Sequence, residues 1–194
     1  INLLLSVMGR GGLWGGGRFI TTSGVSKAFQ THAYSIGGFM SRIYTAQFSA
    51  VAVSAAQDLF EIVAPSDAIV KIHNIRLGQT SDVGDTAEEI LLIKLNSGAT
   101  TSGSGGGSYT PVPIELGDAA FGGTCEINNT TQAADGTIVT HHAWPWNVRG
   151  PFEIIFEPET RPVLSPSRRC VLTIPAPADA LTMMGTITFE EIGG

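Results

Sequence analysis

From Met40 onward the sequence breaks into short segments of strand length, and no helical period is sustained for more than about a turn. Ile43–Val53 alternates apolar and small residues, Leu59–Ala64 stops at Pro65, and Ile69–Leu77 mixes β-branched with polar side chains. Ile90–Leu95 is a continuous apolar run broken by one lysine. Thr124–Ile127, Thr137–His142, Phe152–Phe156, Cys170–Ile174 and Thr186–Ile192 complete a set of nine. Clusters of Gly, Pro, Asn, Asp and Ser separate them, as turns require. A chain built this way must bury one face of each strand against another sheet. The expected fold is therefore all-β, a β-sandwich or jelly-roll-like domain over residues 40–194. Two pieces carry weak helix signals, one turn each: Ser81–Glu89, with Asp85 as a cap, and Pro177–Leu181.

Composition agrees with this. Hydrophobic residues make up 43% and charged residues 14%, against about 25% charged in an ordinary soluble domain. Of the 24 glycines, 11 fall in two dense stretches. One is Gly9–Gly17, inside a 39-residue opening segment without sustained periodicity. This segment reads either as an extended N-terminal arm that orders against a partner or as a leader upstream of a natural start at Met40. The other is Gly98–Ser108 within Asn96–Tyr109, expected to form an exposed, mobile loop.

Charge is unevenly spread. Residues 1–39 carry Arg10, Arg18 and Lys27 and no acid, whereas the rest of the chain is at −9, for a net −6. An acidic body lacks the clustered cations that duplex binding needs, so nucleic acid is an unlikely partner. No apolar run reaches 18 residues, which argues against a transmembrane helix. Ile1–Met8 makes a poor signal peptide because no basic stretch precedes it.

Chemical motifs are sparse. The Gly-rich loop lacks the lysine and following helix of a phosphate-binding loop. Ser104 misses the Gly-x-Ser-x-Gly spacing of a hydrolase elbow. His32, His73, His141 and His142 are the only histidines, and two adjacent histidines on a strand point to opposite faces, a poor start for a metal site. Asp82, Asp85, Glu88 and Glu89 form the densest acidic cluster, without calcium-loop spacing. The two cysteines, Cys125 and Cys170, read as buried thiols, with a bridge open if their strands adjoin. The Asn128–Thr131 sequons matter only in a secretory pathway. No cofactor is expected.

Trp144-Pro-Trp146 with Phe152 and Phe156 concentrates aromatic surface. Such rings either bury in a core or subunit interface, or form a stacking platform for sugars or single-stranded nucleic acid. Trp144, Trp146 and Phe152, together with the apolar Leu3, Leu4, Leu5 and Trp14 of the opening segment, are the candidate interface residues.

Several phrases carry a resemblance. They are Ala46–Glu61, Gly78–Glu89, Thr100–Gly106, Glu126–Thr131, Glu159–Pro162 and Pro175–Met183. In these the chain resembles a family of small virion structural proteins of tailed bacteriophages and prophages, over most of residues 40–192. The resemblance implies a non-enzymatic role, plausibly as a capsid decoration (cement) protein, located in the virion and assembled in the bacterial cytoplasm. The partners then expected are further copies of itself, most simply as a trimer, and the major capsid protein or another virion protein. Two alternatives remain open from the residues. One is a self-assembling surface or filament protein using the opening segment for strand exchange; the other is a carbohydrate-binding β module.

Overall fold

The computed structural model describes residues 41–81 and 89–193, all within one unit running from Phe39 to Gly194. Twelve strands form in chain order: β1 (Ser41–Val53), β2 (Gln57–Val63), β3 (Ala68–Gln79), β4 (Ile90–Thr101), β5 (Gly107–Ser108), β6 (Val112–Pro113), β7 (Thr124–Asn129), β8 (Ala134–Asn147), β9 (Phe152–Ile155), β10 (Val163–Leu164), β11 (Arg169–Ile174) and β12 (Leu181–Gly193). All pairings are antiparallel. The first sheet has the order β10-β3-β12-β1-β6, with β9 also on β3; the second has the order β5-β7-β2-β11-β4-β8. The all-β sandwich expected from the segment pattern is what forms.

The pairing follows a nested ribbon. β1 lies on β12, β2 on β11, β3 on β9 and β10, and β4 on β8, with successive pairs alternating between the two sheets. Alternation of side chains along each strand then places one apolar set between the sheets. Tyr44, Ala46 and Phe48 of β1 join Ile72, Ile75 and Leu77 of β3 and Met183, Ile187 and Phe189 of β12 in a single core. Phe60 and Ile62 of β2, Leu91, Ile93 and Leu95 of β4, and Leu172 of β11 meet them from the second sheet. Each Leu, Ile, Phe or Met among them contributes about 1.5–3 kcal/mol on burial. Phe48 and Phe60 touch across the two sheets at 5.2 Å between ring centroids, and Tyr44, Phe121 and Phe189 cluster at 5.0–5.8 Å, Tyr44 stacked on Phe189 and Phe121 edge-on to it. Gly185 makes this packing possible: a Cβ there would come within 2.6 Å of the Phe48 ring and 2.9 Å of Leu77.

Two expectations fail. Pro177–Leu181 holds no helical turn; it is a bend that ends where β12 begins. The Gly-rich stretch is largely exposed, as expected, but it is not a free loop: β4 runs on to Thr101, Ser104 bridges to Thr131, and Gly107–Ser108 pairs with β7. The physical reason is an anchor distant in sequence, the buried carboxylate of Glu61. The expected turn at Ser81–Glu89 falls mostly on residues outside those described.

The cysteines are resolved by register. Cys125 and Cys170 both sit opposite Ile62, one on each side of β2. A whole strand separates them, about 10 Å by strand spacing, beyond the reach of a disulfide. Burial pushes both thiols up to about 12, so they remain protonated core side chains.

Candidate functional site

The aromatic candidates were expected at an interface, and the fold uses them otherwise. β8 is the edge strand of the second sheet, where a proline such as Pro145 can sit without breaking a ladder. His142, Trp144 and Trp146 stand opposite Leu95, Ile93 and Leu91 and so share the inward face. Trp146 is buried and its Nε1 donates to the Gly150 carbonyl at 2.7 Å. Phe152 and Phe156 are buried as well. Trp144, half-buried, lies parallel to the His142 ring at 5.1 Å, with Phe152 at 5.7 Å and Phe156 at 6.1 Å. These rings close the seam between the edge of the second sheet and β9 on the first. Trp146 and Phe152 are thus core side chains, not free interface side chains, and one face of Trp144 is already occupied by His142. Burial, and next the neighbouring His141, hold the His142 imidazole below its ordinary pKa, which keeps it neutral in the stack. Leu3, Leu4, Leu5 and Trp14 lie outside the described residues.

Pairs that suggest catalysis are accounted for by the fold. Ser97 Oγ and His141 Nε2 are 2.7 Å apart, but among the described residues no carboxylate hydrogen-bonds His141 to orient it as a base. Among the described residues no group of three or more His, Cys, Asp or Glu side chains converges as metal ligands, and no helix is long and apolar enough to cross a membrane. Of the acidic cluster, only Glu89 is described, and it accepts a hydrogen bond from the Ala178 N–H at 2.9 Å.

The outer face of the second sheet is where the molecule's chemistry gathers. Its β7–β2 half is covered. Glu61, with a side chain 1% exposed, accepts from Arg169 Nε at 2.5 Å, Ser102 Oγ at 2.6 Å, the Gly103 N–H at 2.9 Å and Asn129 Nδ2 at 3.1 Å. The Gly-rich segment closes over it, tied by reciprocal Ser104–Thr131 bonds of 3.0 and 2.9 Å. Close approach requires glycine here: a Cβ on Gly106 would collide with the Ile127 carbonyl. Asp58 shares this cover. Its Oδ2 accepts from the Ala133 N–H at 2.7 Å, while its buried Oδ1 has no partner. Burial pushes its carboxyl up to about 6, against the Ala133 hydrogen bond and aided by the nearby Glu61 charge.

The β11–β4–β8 half is open. A groove of about 370 Å³ runs over Val171 and Thr173, walled by Leu92, Ile138 and Pro175. Lys94 lines it and makes no hydrogen bond or ion pair among the described residues. Ile90, 64% exposed, continues the apolar strip along β4. Sequence reading missed these residues. The available signal was Ile90-Leu-Leu-Ile-Lys-Leu95, where apolar residues occupy both phases of a period of two and the lone charge marks the outward one.

Comparison of this chain with protein-family models, with curated proteins and with solved structures found no match.

Proposed function

We propose that this protein is a non-enzymatic structural component of a bacteriophage particle, decorating and stabilising the capsid as a homo-oligomer, with the major capsid protein or another virion protein as its second partner. The nested ribbon supports reading the domain as a jelly roll, whose two-sheet build suits tight packing on a repeating surface. The observation that carries the proposal is the division of polar and apolar groups. The buried carboxylates Glu61 and Glu191 are tied to Arg169 and Arg42 in structural pairs, while apolar side chains stay exposed on the outer face of the second sheet. A surface with that composition fits contact with protein. The trimer expected from the resemblance and the location in the virion belong to the same proposal.

Light scattering on a sizing column gives the first test, with a discrete oligomer expected. The second compares the heat stability of particles made with and without the protein. Particles lacking it should release their contents at a lower temperature. Equal stability of the two kinds of particle contradicts decoration.

A further inference from the structure

Sheet edges and faces differ in how well they are guarded, and one exposed feature matches the open groove in both apolar character and charge. Between β6 and β7 the chain turns through Ile114-Glu115-Leu116-Gly117-Asp118. Leu116 is 85% exposed and Ile114 61%, with the exposed carboxylate of Glu115 between them. The backbone holds this knob firmly. The Ile114 N–H donates to the Ile43 carbonyl at 2.8 Å, and the Asp118 N–H closes the turn on the Glu115 carbonyl at 2.9 Å. Leu116 is therefore presented at little further ordering cost. Keeping two large aliphatic side chains in water on a pinned turn is costly in a free domain, at about 25 cal/mol per Å² of apolar surface.

The groove supplies the complement. It offers apolar walls at Leu92, Ile138 and Pro175 beside one cation, the half-buried Lys94, which no described carboxylate neutralises. An aliphatic knob carrying one carboxylate matches that arrangement in both apolar character and sign of charge. The two features do not meet within one chain: none of residues 114–118 lines the groove. The knob leaves the side of the sandwich where β6 edges the first sheet, and the groove lies towards the β4–β8 side of the second.

We propose that the Ile114–Asp118 turn of one copy docks into the β11–β4–β8 groove of the next, with Leu116 against Leu92 and Ile138 and Glu115 paired with Lys94. Because two different surfaces meet, the contact is heterologous. It closes into a ring when the rotation between copies allows, and otherwise runs on as a filament. This rests on the self-assembly part of the function proposed above and names the surfaces that carry it.

The test uses the full chain in sedimentation velocity, with far-ultraviolet circular dichroism and melting to verify the fold of each variant. Leu116→Asp and Lys94→Glu should each weaken self-association by at least about tenfold. The double variant Lys94→Glu with Glu115→Lys should restore it. Mixing Leu116→Asp, whose groove is intact, with Lys94→Glu, whose knob is intact, leaves one competent contact and should give a one-to-one dimer. A wild-type chain that stays monomeric overturns both this contact and self-assembly. A wild-type chain that assembles, with both single variants assembling equally well, overturns only this contact. Loss in both singles with neither charge-swap rescue nor mixed dimer also overturns it, since the two surfaces would then not be partners.

Discussion

The two halves of one sheet face, built by neighbouring strands, do opposite things. Over β7 and β2 the outer face holds buried acids under a tied-down Gly-rich cover. Over β11, β4 and β8 it holds exposed aliphatics and a lysine with no ion-pair partner among the described residues. The contrast turns on what the chain supplies in cis. Glu61 finds an arginine, a serine, an asparagine and a backbone N–H from three places in the chain. Lys94 finds none among the described residues. A satisfied buried charge fixes a fold, whereas a charge at the edge of an exposed apolar groove is free to pair with a partner.

If the covered half holds the fold, breaking its hub should cost most. Glu61→Ala leaves Arg169, Asn129 and the Gly103 N–H facing a void, and should destabilise by about 3–5 kcal/mol in urea unfolding. Opening the cover by crowding should cost less. Gly106→Ala pushes a methyl group into the Ile127 carbonyl and should cost about 1–3 kcal/mol, with amide exchange rising first around Ser104 and Thr131.

Asp58 sharpens the comparison through pH. Its folded-state pKa stands above the unfolded value, so the folded protein binds the extra proton between about 4 and about 6. Stability is then greatest below about pH 4 as far as this group is concerned, falls as pH rises through about 6, and stays lowered above it. Asp58→Asn should flatten that fall. The gain near pH 7–8 should be on the order of 1–2 kcal/mol, because the amide keeps the Ala133 hydrogen bond and loses the buried charge. An unchanged pH profile places the titration elsewhere.

Much of the covered and open halves was legible in the strand pattern, and the rest was not, for physical reasons. All nine expected segments lie in strands. β5, β6 and β10 were missed because two residues cannot display a period. β8 runs further than the Thr137–His142 segment, through Trp144-Pro-Trp146, since an edge strand tolerates Pro145. The order of the Gly-rich segment was invisible, because its anchor at Glu61 lies some 40 residues earlier and glycine content speaks only for local freedom. The Trp cluster read as an interface because cores and interfaces bury the same aromatics; only the register of β8 against β4 separates them. The groove was obscured because Ile90–Leu95 reads as a strand buried on both faces.

The most direct test of this division is to separate folding from assembly on the open half alone. Ile138→Asp, half-exposed on the groove wall, should leave the unfolding free energy of the full chain, measured in urea at a dilution where it is monomeric, within the small change expected of surface substitutions, about ±0.5 kcal/mol, while sedimentation velocity at higher concentration shows the oligomer lost. A variant that unfolds like Glu61→Ala, or that sediments as the same oligomer as the wild type, would contradict it.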